Sequence, residues 1–184
     1  MILLAITPGL GFDRGSWRAV LHAGVDAFMI REKELDTRKL LEATRWCQDT
    51  APEVMLWVAG RLDVAQAAGC GLHAPEAYPD VEPGMVAVSR PLHDEGQWAG
   101  RRAAHQLLVS PVFASPGKGD PWGPERLRRF LDGLPESGPH ILALGGVDPS
   151  NAPSIHHPRL AGIAAIRPFW GGDPARAVAQ FRGG

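Results

Sequence analysis

The sequence predicts an α/β fold, a compact single-domain (β/α)8 TIM barrel over residues 1–184. Three observations carry this. Eight short runs, nearly continuous in apolar character, recur along the chain, as expected for parallel strands buried on both faces. The stretches between them are amphipathic and begin with helix-capping residues. The eight units average roughly 23 residues, against about 31 for a typical barrel of about 250 residues, so the ring is small and its helices short. An open doubly wound sheet would more often have five or six strands and a glycine-rich first turn. Here Thr7-Pro8-Gly9-Leu10-Gly11 has GxG but no third glycine at dinucleotide spacing.

The strand runs, in order, are Ile2 to Ile6, Asp26 to Ile30, Val54 to Val58, Gly71 to His73, Met85 to Val88, Gln106 to Val109, Ile141 to Leu144 and Gly162 to Ile166. Asp36 is placed to cap a helix carrying Leu40, Leu41, Thr44 and Cys47 on one face. Val64, Ala65 and Ala68 give a short helix ending at Gly69. Between His73 and Met85 there is room for one or two turns, interrupted by Pro75, Pro79 and Pro83, so the helix after the fourth strand is degenerate or missing. Pro124 opens a helix with the stripe Leu127, Phe130, Leu131 and Leu134. Asp148-Pro149 and Asp173-Pro174 repeat a cap-then-proline start.

Lys plus Arg is 19 and Asp plus Glu is 20, for a net charge of -1. So even a balance gives no basic footprint, and neither nucleic acid nor a membrane is expected as a partner. No run approaches the roughly 18 apolar residues of a membrane span, and the first residues read as a strand rather than a signal peptide. Cys47 and Cys70 have no metal-ligand spacing and fit a reduced, cytoplasmic protein. A homo-oligomer is left open, with Trp46, Trp98 and Trp170 as interface candidates.

In a barrel, chemistry belongs at the C-terminal ends of the strands. After the second run stand Arg31, Glu32, Lys33 and Glu34, with Arg31 and Lys33 as anion ligands or a solvated charge run. Arg61 follows the third, to reach a phosphate or cap a neighbouring element. His73 ends the fourth, with Glu76 nearby, and Ser89 follows the fifth, with His93 beyond. The loop after the sixth carries Ser115, Gly117 and Lys118, a hydroxyl, a glycine and a cation suited to folding over an anion. Lysine is scarce, and two of the three lysines, Lys33 and Lys118, fall in such loops. Gly145-Gly146 follows the seventh run, and Ile166-Arg167 closes the eighth. Those two loops commonly build the phosphate site of a barrel enzyme from backbone N–H groups. Arg167 either pairs the phosphate or plugs the site.

These segments resemble a known family. Ile30-Arg31-Glu32-Lys33 resembles the QLREK motif of the thiamine phosphate synthase and TenI (thiazole tautomerase) superfamily. Gly60 to Ala65, Gly71-Leu72-His73, Pro111 to Lys118 and Leu144 to Val147 resemble its later motifs, in order along nearly the whole chain. The resemblance implies a barrel enzyme of thiamine biosynthesis whose partner is a small phosphorylated thiazole or thiamine phosphate. It also implies Arg31, Lys33 and Lys118 for a pyrophosphate, Ser115 for a hydroxyl contact, and Gly145, Gly146 and the Ile166 backbone for the thiazole phosphate. Mg2+ enters only with synthase chemistry, and there the family's metal carboxylate after the third strand falls on Gly60, with Ala59 beside it. The second carboxylate has Glu76 as its one candidate, so no metal ligands are assigned.

The Ala59-Gly60-Arg61 variant resembles the TenI branch, whose proposed histidine falls on Pro111. Proton transfer then needs another group, with His73 and Glu76 as catalytic candidates and His93 as a third. The favoured reading is a TenI-like isomerase with an altered base. The alternatives are a synthase with an altered metal site and a non-catalytic or regulatory barrel that binds a thiazole or thiamine phosphate.

Overall fold

The computed structural model describes residues 1–82 and 84–183. Its strands are β1 (Ile2–Ile6), β2 (Ala27–Ile30), β3 (Met55–Ala59), β4 (Gly71–His73), β5 (Val88–Leu92), β6 (Gln106–Val109), β7 (His140–Leu144) and β8 (Leu160–Ala165). Each pairs in parallel with the next, and β8 returns to β1 through Ile2↔Gly162 to Ala5↔Ala165, closing the ring. At that seam Gly162 lies flush against β1: a Cβ there would stand 2.0 Å from the Ile2 carbonyl oxygen. Alternate strand residues fill the interior with Leu4, Ile6, Ala27, Met29, Trp57, Leu108, Leu142 and Ala164. The Trp57 indole N–H is buried there without a hydrogen-bond partner among the described residues.

The opposite strand faces pack under α1 (Arg14–Leu21), α2 (Thr37–Thr50), α3 (Leu62–Ala68), α4 (Trp98–Arg101), α5 (Gly123–Asp132), α6 (Arg167–Trp170) and α7 (Pro174–Arg182). Asp36 accepts from the Lys39 N–H at 2.9 Å, and α2 buries Leu40, Ala43, Thr44 and Cys47. Asp173 accepts from the N–H groups of Ala175 and Arg176 at 3.0 and 3.2 Å, starting α7 as expected. Burial pushes the Cys47 thiol up to about 12 and the Cys70 thiol up to about 11, so neither is a reactive thiolate near neutral pH.

Two expectations fail locally. The fifth strand runs from Val88 to Leu92, not from Met85 to Val88. Its pairing decides this: Ser89↔Gln106 through Leu92↔Val109. An apolar pattern is not needed here. Among the described residues no helix lies between β4 and β5, so the outward Arg90 is satisfied by the carbonyls of Tyr78 and Pro79 and by Asp80. Pro83 lies outside the described residues; Pro75 and Pro79 fall in this turn region, as expected. After β7, Asp148-Pro149 starts no α-helix. Asp148 instead closes a tight turn on Ser150 (2.8 Å), and one 3₁₀ turn follows at Ala152–Ile155.

Trp46, Trp98 and Trp170 are half-buried against the core, edge-on or tilted to Phe12, Phe130 and Phe28. Among the described residues no helix is long and apolar enough to cross a membrane.

Candidate functional site

The loops after β6, β7 and β8 enclose a cleft of about 660 Å³ at the C-terminal end of the barrel. Backbone pairing continues beyond the strand ends and draws the loops together. Val112 N–H donates to the Leu144 carbonyl and Phe113 N–H to that of Gly145, both at 2.9 Å. The loop is closed behind by Trp122 N–H to Pro111 (2.8 Å) and Gly123 N–H to Val112 (2.9 Å). Gly145 and Gly146 both sit at positive φ, +93° and +65°. A Cβ on Gly145 would meet Pro111 Cα at 2.7 Å, and one on Gly146 would meet the Ala114 carbonyl oxygen at 2.7 Å.

Five of the expected binding residues, Ser115, Gly145, Gly146, Ile166 and Arg167, therefore line one cleft. Among the described residues the N–H groups of Gly146, Val147 and Ile166 have no protein acceptor and belong to residues that line this cleft. Asn151 holds this turn by donating from its amide to the Gly146 carbonyl at 2.8 Å. Arg167 is exposed and lines the cleft. Arg176, absent from the sequence reading, also lines it. Its signal was available: the Asp173-Pro174 cap places Arg176 in the first turn of α7.

Across the ring, His73 ends β4 with its side chain toward the barrel interior. Its Nδ1 lies 3.0 Å from Ser89 Oγ, which accepts from Gln106 Nε2 at 3.2 Å. Ser89 is fully buried inside β5, so it supports His73 rather than standing free after the strand as the sequence suggested. Burial, then the nearby cations Arg31 and Arg90, pull the His73 imidazole down to about 4. The unfolded imidazole takes its proton near the usual 6.5, well before the folded one does. His73 thus contributes stability above pH 6.5 that is lost as pH falls toward 4, by up to about 1.4 kcal/mol per pH unit. Urea melts from pH 7 to 4 should show this slope, and His73→Gln should flatten it.

The other expected residues have different work. Glu32 is buried and accepts from the N–H groups of Gly9 (3.0 Å) and Gly11 (2.7 Å), tying down the loop after β1. The charge run thereby splits, leaving the Arg31 guanidinium without a hydrogen-bond or ion-pair partner among the described residues. Arg61 makes no side-chain cap of a helix; it bonds Asp63 at 3.0 and 2.6 Å and also Thr37, linking the starts of α2 and α3. Arg31, Lys33 and Lys118 do not line the cleft; both lysines are exposed, and the Lys118 N–H turns back onto the Ser115 carbonyl at 3.1 Å. Glu76 is engaged by Arg101, by Gln97 at 2.9 Å and by His93 Nε2 at 3.5 Å, which removes it as a free base. His93 is held from its other side, Nδ1 to the Ser110 carbonyl at 2.7 Å.

The donor set does not fit Mg2+. Ala59 and Gly60 bring no side-chain oxygen, and the Glu76 carboxylate is already neutralised by Arg101. Among the described residues no three His, Cys, Asp or Glu side chains converge as a metal site.

Comparison with known proteins agrees with this architecture. Residues 15–169 match the TMP-TENI family model, described as thiamine monophosphate synthase. The chain belongs to the TMP-TENI family. Within it, a thiamine-phosphate synthase of Archaeoglobus fulgidus is 31% identical, over 88% of this chain and 81% of that protein. One of Moorella thermoacetica is also 31% identical, over 97% and 92%. A solved thiamine phosphate pyrophosphorylase from Pyrococcus furiosus shares the barrel fold at TM-score 0.85 and 23% identity, covering 99% of this chain and 94% of its own.

Proposed function

We propose that this cytoplasmic protein of thiamine biosynthesis binds a small phosphorylated thiazole, its phosphate in the cleft between the loops after β6, β7 and β8. One observation carries the reading: unpaired N–H groups of Gly146, Val147 and Ile166 in a glycine-built cleft that also holds Ser115, Arg167 and Arg176. Such converging amides favour an anion, with the two arginines adding charge at the rim. The heterocycle then extends over the mouth toward His73 and Arg31.

On this ligand we propose a TenI-like isomerisation rather than metal-assisted condensation. The isomerisation moves one proton and leaves the formula unchanged, so it asks for a proton-transferring group and not for a metal. His73 is the group at the mouth, neutral at pH 7 and able to donate or accept one hydrogen bond at its outer nitrogen. Condensation would ask the site to stabilise a departing pyrophosphate, and the carboxylates for Mg2+ are missing or engaged. The names of the relatives favour the synthase as a second reading, with Arg31, Lys33 and Lys118 as its pyrophosphate ligands. No nucleic acid or membrane partner enters either reading.

The test is purified protein assayed for interconversion of thiazole carboxylate phosphates by NMR and for thiamine phosphate formation with and without Mg2+. Interconversion alone supports the isomerase. Robust Mg2+-dependent thiamine phosphate formation overturns it, and ligand binding without turnover leaves a binding protein.

A further inference from the structure

The barrel interior carries a polar chain that the binding cleft does not use. Gln106 and Ser89 are both buried, on adjacent strands and directly paired in register, and His73 pairs with Ser89 from β4. A serine hydroxyl has one proton to give. The Gln106 Nε2 amide donates to Ser89 Oγ at 3.2 Å, so the hydroxyl proton is free to point elsewhere. The other polar atom beside it is His73 Nδ1, at 3.0 Å. With Nδ1 accepting that proton, a neutral imidazole carries its own proton on Nε2. We propose that Gln106 and Ser89 are positioning residues that fix His73 as the Nε2–H tautomer, an oriented neutral donor at the barrel mouth.

Surrounding charges agree with a neutral ring. Arg31, Arg90 and His93 all disfavour a further positive charge on His73, and burial does so more strongly. No carboxylate is hydrogen-bonded to the His73 ring among the described residues, so nothing there stabilises an imidazolium. An imidazole so held would hydrogen-bond to an acceptor on a bound ring without adding charge. That last use rests on the thiazole-phosphate reading above; the tautomer does not.

The experiment is ¹⁵N-labelled protein at pH 7, with long-range ¹H–¹⁵N correlation of the His73 ring, first without ligand. The expected pattern is a lone-pair Nδ1 and a protonated Nε2 in a single tautomer. Ser89→Ala and Gln106→Leu should each give a tautomer mixture, and Ser89→Thr, which keeps the hydroxyl, should restore the single form. Thermal melts identify any variant that fails to fold; the unsubstituted protein remains decisive. A protonated Nδ1, or an imidazolium, in that protein overturns the proposal. So does a single Nε2–H form that persists in folded Ser89→Ala and Gln106→Leu. Thiazole phosphate is then added. A shift of the Gly146 amide reports the cleft separately, so an unmoved Gly146 alongside an Nε2–H ring would sink the binding reading and leave the positioning proposal standing.

Discussion

Gly146→Ala is expected to lower affinity for a phosphorylated thiazole roughly 10- to 100-fold and to cost about 2–4 kcal/mol of stability. Two separate penalties underlie this. At φ +65° an added Cβ carries the left-handed backbone cost of an L residue, roughly 1–2 kcal/mol. That Cβ would also meet the Ala114 carbonyl oxygen at 2.7 Å, Phe113 Cβ at 2.8 Å and the Phe113 carbonyl carbon at 2.9 Å. Most of this is backbone, so either the Phe113–Ala114 loop or the glycine turn must move. Both carry the cleft. An amide bond to a charged oxygen is worth about 1.5–3 kcal/mol, so losing one gives the stated fall in affinity. Titration calorimetry beside a thermal melt separates the two effects. Gly100→Ala is the control, because a Cβ there meets nothing within 4 Å and lies in α4, away from the cleft.

Gly162→Ala should be the most damaging single methyl in the chain, costing roughly 3–5 kcal/mol. Its Cβ would stand 2.0 Å from the Ile2 carbonyl oxygen, 2.7 Å from Ile2 Cβ and 2.8 Å from its carbonyl carbon. Those atoms belong to the β1–β8 seam, where Ile2 pairs with Gly162. Relief requires the two strands to part at the point where the ring closes. For a chain of this size the melting temperature should drop by about 10 °C or more. Gly162→Ala melting within about 2 °C of the parent would mean that the seam is looser than described.

The ring itself was legible because buried parallel strands need continuous apolar runs, and seven of the eight runs stand within a residue or two of a strand. The fifth was misplaced for a physical reason. With no helix between β4 and β5 among the described residues, the outer face of β5 accepts Arg90, and its inner face satisfies Ser89 by hydrogen bonds rather than by apolar packing. Hydropathy therefore slid to the neighbouring Met85–Ala87. That the glycine pair and Ser115 stand in loops at the strand ends was legible, since a strand end, a turn residue and a hydroxyl leave traces in sequence. Partnership leaves none. That Glu32 would be spent on the Gly9 and Gly11 amides, Arg61 on Asp63, and Glu76 on Arg101 depends on which loops fold back on which. The same holds for Gln106, a polar residue inside an apolar strand whose purpose appears once Ser89 and His73 stand beside it.

The measurement closest to the core of this account is calorimetric titration of the protein with hydroxyethylthiazole phosphate and, in parallel, with the unphosphorylated thiazole. Saturable binding at one site per chain is expected for the phosphate, at least tenfold weaker without it and weakened again in Gly146→Ala. Equal affinity for the two compounds, or no heat from either at millimolar concentration, would contradict a phosphate cleft at the ends of β6, β7 and β8.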